Sequence, residues 1–125
     1  MQLAHKIELK PSKQQIQLLN KACGCARFTY NWALNKWQEM YHAFKLDNSL
    51  PKPNANTIKK EFNRIKKTEF SWIYESPKDA NQQAFSNLNS AFTRFFKGIS
   101  KFPKPKKKKN KCSFYVSNDK FKVFD

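Results

Sequence analysis

Seven lysines lie between Lys101 and Lys111, in the segment KFPKPKKKKNK, which contains no acidic residue. Like charges at this density repel one another, and the segment has little apolar area to bury, so we do not expect it to fold on its own. Its ammonium groups suit a polyanion, and nucleic acid is the commonest polyanionic partner of such a chain. An anionic lipid surface and an inert, solubilising tail are the alternatives.

The basic character extends beyond this run. The 125 residues include 25 Lys and Arg against 9 Asp and Glu, a formal net charge of +16. Without the seven lysines of the run, 18 basic residues still face nine acidic ones, which leaves +9. A second basic group has the pattern of a short helix, and it consists of Lys59, Lys60, Arg64, Lys66 and Lys67.

Arg27 and Asn31 are a third candidate, because residues four apart share one face of a helix. Arg27 falls on a helical seam that is otherwise apolar. It could contact phosphate at the edge of a bundle, or it could extend along the bundle surface or pair with an acid inside it. Trp32, Trp37 and Tyr41 could stack on bases, but their spacing is more typical of a core.

The candidate nucleic-acid-binding residues are therefore spread along the chain, and the pattern favours contacts with phosphates over contacts with base edges. They are Arg27, Asn31, Lys59, Lys60, Arg64, Lys66, Lys67, Lys101, Lys104, Lys106, Lys107, Lys108, Lys109 and Lys111. There is no apolar run long enough to span a membrane and no signal peptide, so we expect a cytoplasmic protein without a membrane partner.

No catalytic constellation is visible in the sequence. Two histidines, nine scattered acids and the lack of a glycine-rich loop leave little for an active site. A metal-dependent nuclease needs several converging carboxylates, whereas Glu61 and Glu69 lie among lysines, where ion pairing is the simpler role. Cys23 and Cys25 lack the paired spacing of a structural zinc site. We therefore predict no enzyme activity, metal, cofactor or small-molecule substrate.

The elements that must position these residues begin with a strand, because residues 1–11 alternate in polarity. Ser12 and Gln15 have the spacing of a helix capping box, and Gly24 is expected to interrupt the helix that follows. The next helix carries an apolar seam rich in aromatic residues. The pair has the outline of a helix-turn-helix, but the aromatic residues favour a hairpin in a bundle over a helix that reads base edges.

A short basic helix at 57–67 and a last helix at 76–98 follow, and residues 113–125 have the pattern of a β-hairpin. We therefore predict an α+β fold, mostly α, in which a helical bundle is inserted between an N-terminal strand and a C-terminal hairpin. The divisions are a first strand at 1–11, the bundle at 12–100, a basic loop at 101–112 and the hairpin at 113–125. Since residue 125 falls inside the second strand of that hairpin, we expect a truncated piece of a longer protein.

The segment GCARFTYNWAL, residues 24–34, resembles the N-terminal signature of the TnpB/OrfB proteins of insertion-sequence transposons. LKPSKQQ just before it fits the same family. A second signature of the family is similar to Gln83-Ala84, Leu88, Ala91-Phe92 and Phe95-Phe96-Lys97, and the stretch that follows it is similar to Phe102-Pro103-Lys104, Lys106-Lys107 and Ser113-Phe114. Pro105 departs from the pattern, because the family usually has an aromatic residue there.

The resemblance implies an RNA-guided DNA endonuclease family related to type V CRISPR effectors. In that family a wedge-like β-barrel domain carries an inserted helical recognition domain, and the first segment is usually described as a helix-turn-helix. Catalysis belongs to a downstream RuvC-like domain with three carboxylates and a zinc-binding insert, neither of which is found in these 125 residues.

The function that the resemblance implies is to hold guide RNA and target DNA by backbone contacts, without a catalytic centre of its own. Two alternatives stay open. One is a free-standing DNA-binding helix-turn-helix regulator, and the other is an inactive, truncated remnant.

Overall fold

Three helices and one 3₁₀ turn make up the regular structure in the part of the chain that the computed structural model describes, namely residues 6, 8, 10–76 and 78–107. The helices are α1, Lys13–Leu46, α2, Ala55–Glu69, and α3, Lys78–Phe96, and the 3₁₀ turn is Ser71–Glu75. α1 packs against both shorter helices, and α2 also packs against α3. None of the described helices has both the length and the apolar character that a membrane span needs.

Local signals in the sequence define where the helices begin and end. The predicted capping box is confirmed: the Ser12 hydroxyl accepts a hydrogen bond from the Gln15 backbone N–H, and the Gln15 side chain accepts one from the Ser12 N–H. Asn54 caps α2 by accepting a hydrogen bond from the Thr57 N–H at 2.8 Å. Beyond α3, Gly98 has a φ of 77°, a left-handed conformation that glycine adopts without steric cost.

α1 runs through Gly24 without a break, so the predicted interruption and the helical hairpin that depended on it are wrong. A single glycine inside a helix costs only about 1 kcal/mol relative to alanine. Ala22 and Cys25 on either side of it are buried, and their burial favours a continuous helix. α1 is therefore one rod about 50 Å long.

The core lies between the middle of α1 and the inner faces of α2 and α3. The seam predicted from the sequence is confirmed at Tyr30, Leu34 and Trp37, which are all buried. The Trp37 indole stacks on Phe92 of α3 with 4.3 Å between the ring centroids, so the two aromatic faces bury each other. The other buried core residues are Cys25, Ala33, Ile58, Phe62, Ile73, Ala84, Phe85 and Leu88.

The predicted α+β fold class is wrong, because the described residues form helices and no strand. Lys6, Glu8 and Lys10, which belong to the predicted first strand, are exposed and lie in no strand. Alternation specifies a strand only when a neighbouring strand completes its hydrogen bonds, and no strand in this part of the chain offers that edge. The predicted hairpin at 113–125 and most of residues 1–11 lie outside the described residues, and the four-part division stays a prediction.

Candidate nucleic-acid interface

Residues 101–107, which we call the basic strap, contact α3 at one end and α1 at the other. The Phe102 ring packs edge-on against Phe92 and Phe95 of α3, with centroids 5.4 and 5.2 Å apart. Pro103, the next residue, is buried. The first part of the lysine run is therefore held on the bundle, whereas its composition alone predicted a flexible loop.

Asn31 of α1 holds the other end of the strap. Its Nδ2 donates a hydrogen bond to the Lys106 carbonyl at 2.9 Å, and its Oδ1 accepts one from the Lys106 N–H at 2.6 Å. The Lys106 ammonium also lies 4.9 Å from the centre of the Tyr30 ring, a cation–π contact. Two candidate residues 75 positions apart are thus neighbours. Here the Asn31 amide binds main chain, and its direct contact with nucleic acid stays a prediction.

The lysines of the strap keep their charges in solvent. No ion pair among the described residues involves them. Burial raises the pKa of the Tyr30 phenol, and the positive charge of the Arg94 guanidinium on α3 lowers it. Arg94 therefore adds positive charge close to Tyr30, the ring that Lys106 contacts. Arg94 was missed by sequence reasoning, which considered the apolar face of α3 alone. The exposed strap lysines are Lys101, Lys104, Lys106 and Lys107.

The outer face of α2 is the second basic surface. Lys60, Arg64 and Lys67 are exposed, and their spacing of four and three residues places them on one side of the helix. Arg64 also donates a hydrogen bond from Nε to Glu61 at 3.1 Å. That bond lowers the pKa of Glu61 and raises the pKa of Arg64. The ion pair predicted for Glu61 is confirmed, and it partly neutralises this face.

Lys66 lies at the edge of α2 in a group of like charges. Partial burial lowers the pKa of its ammonium, and the positive charges of Lys78 and Lys59 lower it further. Its Nζ lies 5.4 Å from the centre of the Tyr74 ring. Charges that repel one another in the free protein would be relieved by a bound anion, so phosphate binding at this group stays a prediction. Lys78 was not among the predicted binding residues, because it follows a proline and lies outside both lysine-rich segments.

Arg27 is half-buried on α1. Its guanidinium lies 3.8 Å from the position that a side chain on Gly24 would occupy, and no described acid forms an ion pair with it. An anion could therefore reach it without displacing a partner. Lys108, Lys109 and Lys111 lie outside the described residues, so their role stays a prediction.

The chemistry available at these surfaces is that of ammonium and guanidinium donors. Within the described ranges, no three His, Cys, Asp or Glu side chains come together as a metal site requires. These donors lie on three elements, namely the strap, α2 and the start of α3, and they are of the kind that contacts nucleic-acid phosphates.

Comparison with known proteins shows which proteins this chain is similar to. Residues 1–45 match the family HTH_OrfB_IS605, described as a helix-turn-helix domain. "Putative RNA-guided DNA endonuclease InsQ" of Escherichia coli K12 is 29% identical over 89% of this chain. The predicted resemblance to the N-terminal part of a TnpB/OrfB protein is confirmed. Equally, 29% identity over 94% of the chain relates it to a "Putative RNA-guided DNA endonuclease" of Streptomyces pristinaespiralis.

A viral protein is also similar to this chain. "Putative transposase A625R" of Paramecium bursaria Chlorella virus 1 is 29% identical over 87% of the chain. The chain spans 27% of the length of that protein and of InsQ, and 29% of the Streptomyces protein. These matches support a DNA-binding protein associated with a transposon. The matched residues from Lys13 onward lie in the single helix α1, so the family description and the geometry differ at the turn.

Proposed function

We propose that this chain is a nucleic-acid-binding region of a TnpB/OrfB-type protein that holds guide RNA and target DNA by their backbones. The observation that carries this proposal is the reciprocal pair of hydrogen bonds between Asn31 and the main chain of Lys106. It fixes a lysine-rich segment on a rigid helix through main-chain atoms, and no described acid pairs with the lysine side chains of that segment. A segment that only increased solubility would need no such support.

The electrostatics support the same proposal. The strap lysines have no acidic partner in the described structure, and the Lys59, Lys66 and Lys78 group is under mutual repulsion. Both arrangements raise the free energy of the unbound protein relative to a complex with phosphates. With a net charge of +16, release of counterions from the nucleic acid is the expected main driving force.

Binding to the backbone is a better fit to this geometry than sequence reading by a helix-turn-helix. In that motif a turn allows the second helix to enter the major groove while the first crosses the backbone. α1 has no turn between Lys13 and Leu46. A free-standing regulator built on this motif is therefore the weaker alternative, and it requires a marked preference for one DNA sequence.

The proposal assigns no cleavage step to this region. Its described acids include Glu61, which pairs with Arg64, and Glu39 and Glu75, which pair with lysines. Supercoiled plasmid incubated with the pure chain, a guide RNA and magnesium is expected to stay intact. Nicking that copurifies with the chain through several columns and disappears on a Glu-to-Gln substitution would overturn this point.

A salt titration tests the proposed function directly. Fluorescence anisotropy would give the affinity for duplex DNA, single-stranded RNA and an RNA–DNA heteroduplex of several unrelated sequences. We expect log affinity to fall linearly with log salt, with a slope of about 0.9 per phosphate contact on duplex DNA, and to depend little on sequence. A salt-independent affinity, or no binding at low salt, would identify an inactive remnant, and strong preference for one sequence would identify a regulator.

A further inference from the structure

An open cleft of about 390 Å³ lies between the C-terminal parts of α1 and α3, and the basic strap begins at its edge. Trp37 and Tyr41 line it from α1, Phe96 from α3, and Phe102 from the strap. Its volume is within the range of small-molecule sites. The nucleic-acid-binding role proposed above uses the backbone only and leaves this cleft unexplained.

Three aromatic rings of the cleft are exposed to solvent. The exposed fraction is 64% for Phe96, 42% for Phe102 and 39% for Tyr41. Trp37, by contrast, is fixed by its stack on Phe92, and Phe102 is fixed by its edge contacts with the α3 rings. Exposed apolar area of this kind is unfavourable in water, and rings already held in place lose little conformational entropy when a flat ligand stacks on them.

The charge around the cleft identifies the class of ligand. The Lys45 ammonium lies 5.0 Å from the centre of the Tyr41 ring at the rim, and no acidic residue lines the cleft. Lys97 and Lys101 adjoin Phe96 and Phe102 in the chain, and both are exposed. An apolar peptide or a hydrophobic partner would gain nothing from these cations, whereas a nucleotide has both a flat ring and a phosphate.

Phe102 connects the cleft to the basic strap. Lys106 lies four positions after Phe102 in the chain, so the Cα atoms of these two residues are at most about 14 Å apart. A strand whose phosphates follow the strap lysines therefore passes the mouth of the cleft. Only an unpaired base can turn into it, because the bases of a duplex are stacked on one another.

We propose that this cleft binds one unpaired base of single-stranded RNA or DNA by stacking on Phe96, Tyr41 and Phe102. The proposal rests on the proposed function, since the strap must hold the strand. Base stacking on aromatic residues tolerates any base, so the cleft contributes affinity without sequence preference. It also gives the protein a means of distinguishing single strands from duplexes.

The test compares two strands of equal length, one of oligo(dT) and one with the same backbone but abasic sugars. We expect the wild-type chain to bind oligo(dT) about tenfold more tightly than the abasic strand, the effect of one stacked base. Phe96→Leu keeps apolar area and removes the aromatic ring, so it is expected to abolish that preference while the salt dependence of binding stays unchanged. Phe96→Trp is expected to retain the preference.

Trp72→Leu is the matched control, because Trp72 is an aromatic residue outside the cleft, 44% exposed, and the substitution is of the same kind as Phe96→Leu. It should leave the preference intact. An oligo(U) arm distinguishes RNA from DNA as the source of the base. Equal binding of oligo(dT) and the abasic strand, or a preference that survives Phe96→Leu, would overturn the cleft proposal and leave the proposed function standing. Failure of both strands to bind at low salt would overturn the two together.

Discussion

The basic strap and the basic face of α2 carry similar charges, but they hold them in different ways. On α2 the helix fixes the backbone from which each side chain extends, and Glu61 neutralises part of the charge of Arg64. On the strap the main chain is fixed from outside, by Asn31, and no described acid pairs with its lysines. The number of cations is therefore a poor guide to a binding surface. The way the backbone is held and the acidic residues nearby determine how much positive charge a ligand meets.

The largest expected effect comes from a substitution in the hydrophobic core that supports both regions. Trp37→Ala deletes an indole stacked on Phe92, and loss of a buried aromatic side chain costs about 3–5 kcal/mol. For a small domain this is a large fraction of the total free energy of unfolding. Urea denaturation monitored by far-UV circular dichroism is expected to show an unfolded or barely folded chain. Tyr74→Ala, which changes an exposed ring, serves as the control. Near-wild-type stability of Trp37→Ala would contradict the position of Trp37 in the hydrophobic core.

A direct comparison of the two regions comes next in size. One variant changes Lys101, Lys104, Lys106 and Lys107 to Gln, and the other changes Lys59, Lys60, Lys66 and Lys67 to Gln. Each lost phosphate contact lowers the salt slope by up to ~0.9 on duplex and ~0.7 on single strands. We expect the strap variant to lose more, since all four of its lysines are exposed.

Stability serves as the control for that comparison. The strap substitutions are expected to lower the free energy of unfolding by at most about 1 kcal/mol, the cation–π contact of Lys106. An unchanged salt slope together with reduced solubility would indicate that the strap only increases solubility. A larger loss from the α2 variant would reverse the comparison.

The third test concerns the pair of hydrogen bonds between Asn31 and the Lys106 main chain, which we call the clamp, and its expected effect is moderate. Asn31→Ala removes both hydrogen bonds to Lys106, each worth about 0.5–1.5 kcal/mol. We expect weaker binding and faster hydrogen exchange at the Lys106 amide, while α1 stays protected. Asn31→Asp keeps the acceptor for the Lys106 N–H and loses the donor, so its exchange rate should be intermediate. Loss of affinity without any change in exchange would assign Asn31 a direct contact with nucleic acid instead.

The smallest expected effect comes from a substitution on α2. Glu61→Gln releases Arg64, so affinity should rise slightly and the salt slope should increase by up to ~0.9 on duplex. The depressed pKa of Glu61 also sets a pH dependence. The ion pair is present above the ordinary glutamate pKa of about 4.3 and is lost only as pH falls through the lower folded value. The difference in affinity between the wild-type and Glu61→Gln proteins should therefore be the same at every pH in the neutral range.

Local signals made much of the bundle predictable. The capping box at Ser12, the seam at Tyr30 and Trp37, and the left-handed glycine that follows α3 each depend on neighbours within about one or two helical turns. The break at Gly24 failed because tertiary burial outweighed the local cost of a glycine. The predicted strand at 1–11 failed in its described residues, since alternation does not reveal whether a partner strand exists.

The candidate site was predictable in its charge but not in its construction. Lysine-rich segments are visible in composition, which is why the strap and α2 residues were found. The bond between Asn31 and Lys106 spans 75 residues and uses main-chain atoms, and one sequence contains no signal for such a contact. Lys78 and Arg94 were missed for a related reason: each lies outside a basic cluster in the chain and joins one only in space.

The clamp also determines the alignment of the strap, because Asn31 needs both an N–H and a carbonyl from the residue that faces it. A slip of one residue in one direction would place Pro105 opposite Asn31, and proline has no N–H to donate. A slip of two would move the strap by about 7 Å and pull Pro103 from its buried position. Proline at 105 thus opposes sliding in that direction, and a one-residue insertion between Gly98 and Pro105, which would bring Pro105 opposite Asn31, should be tolerated far less well than any change of side chain at 106 other than to proline.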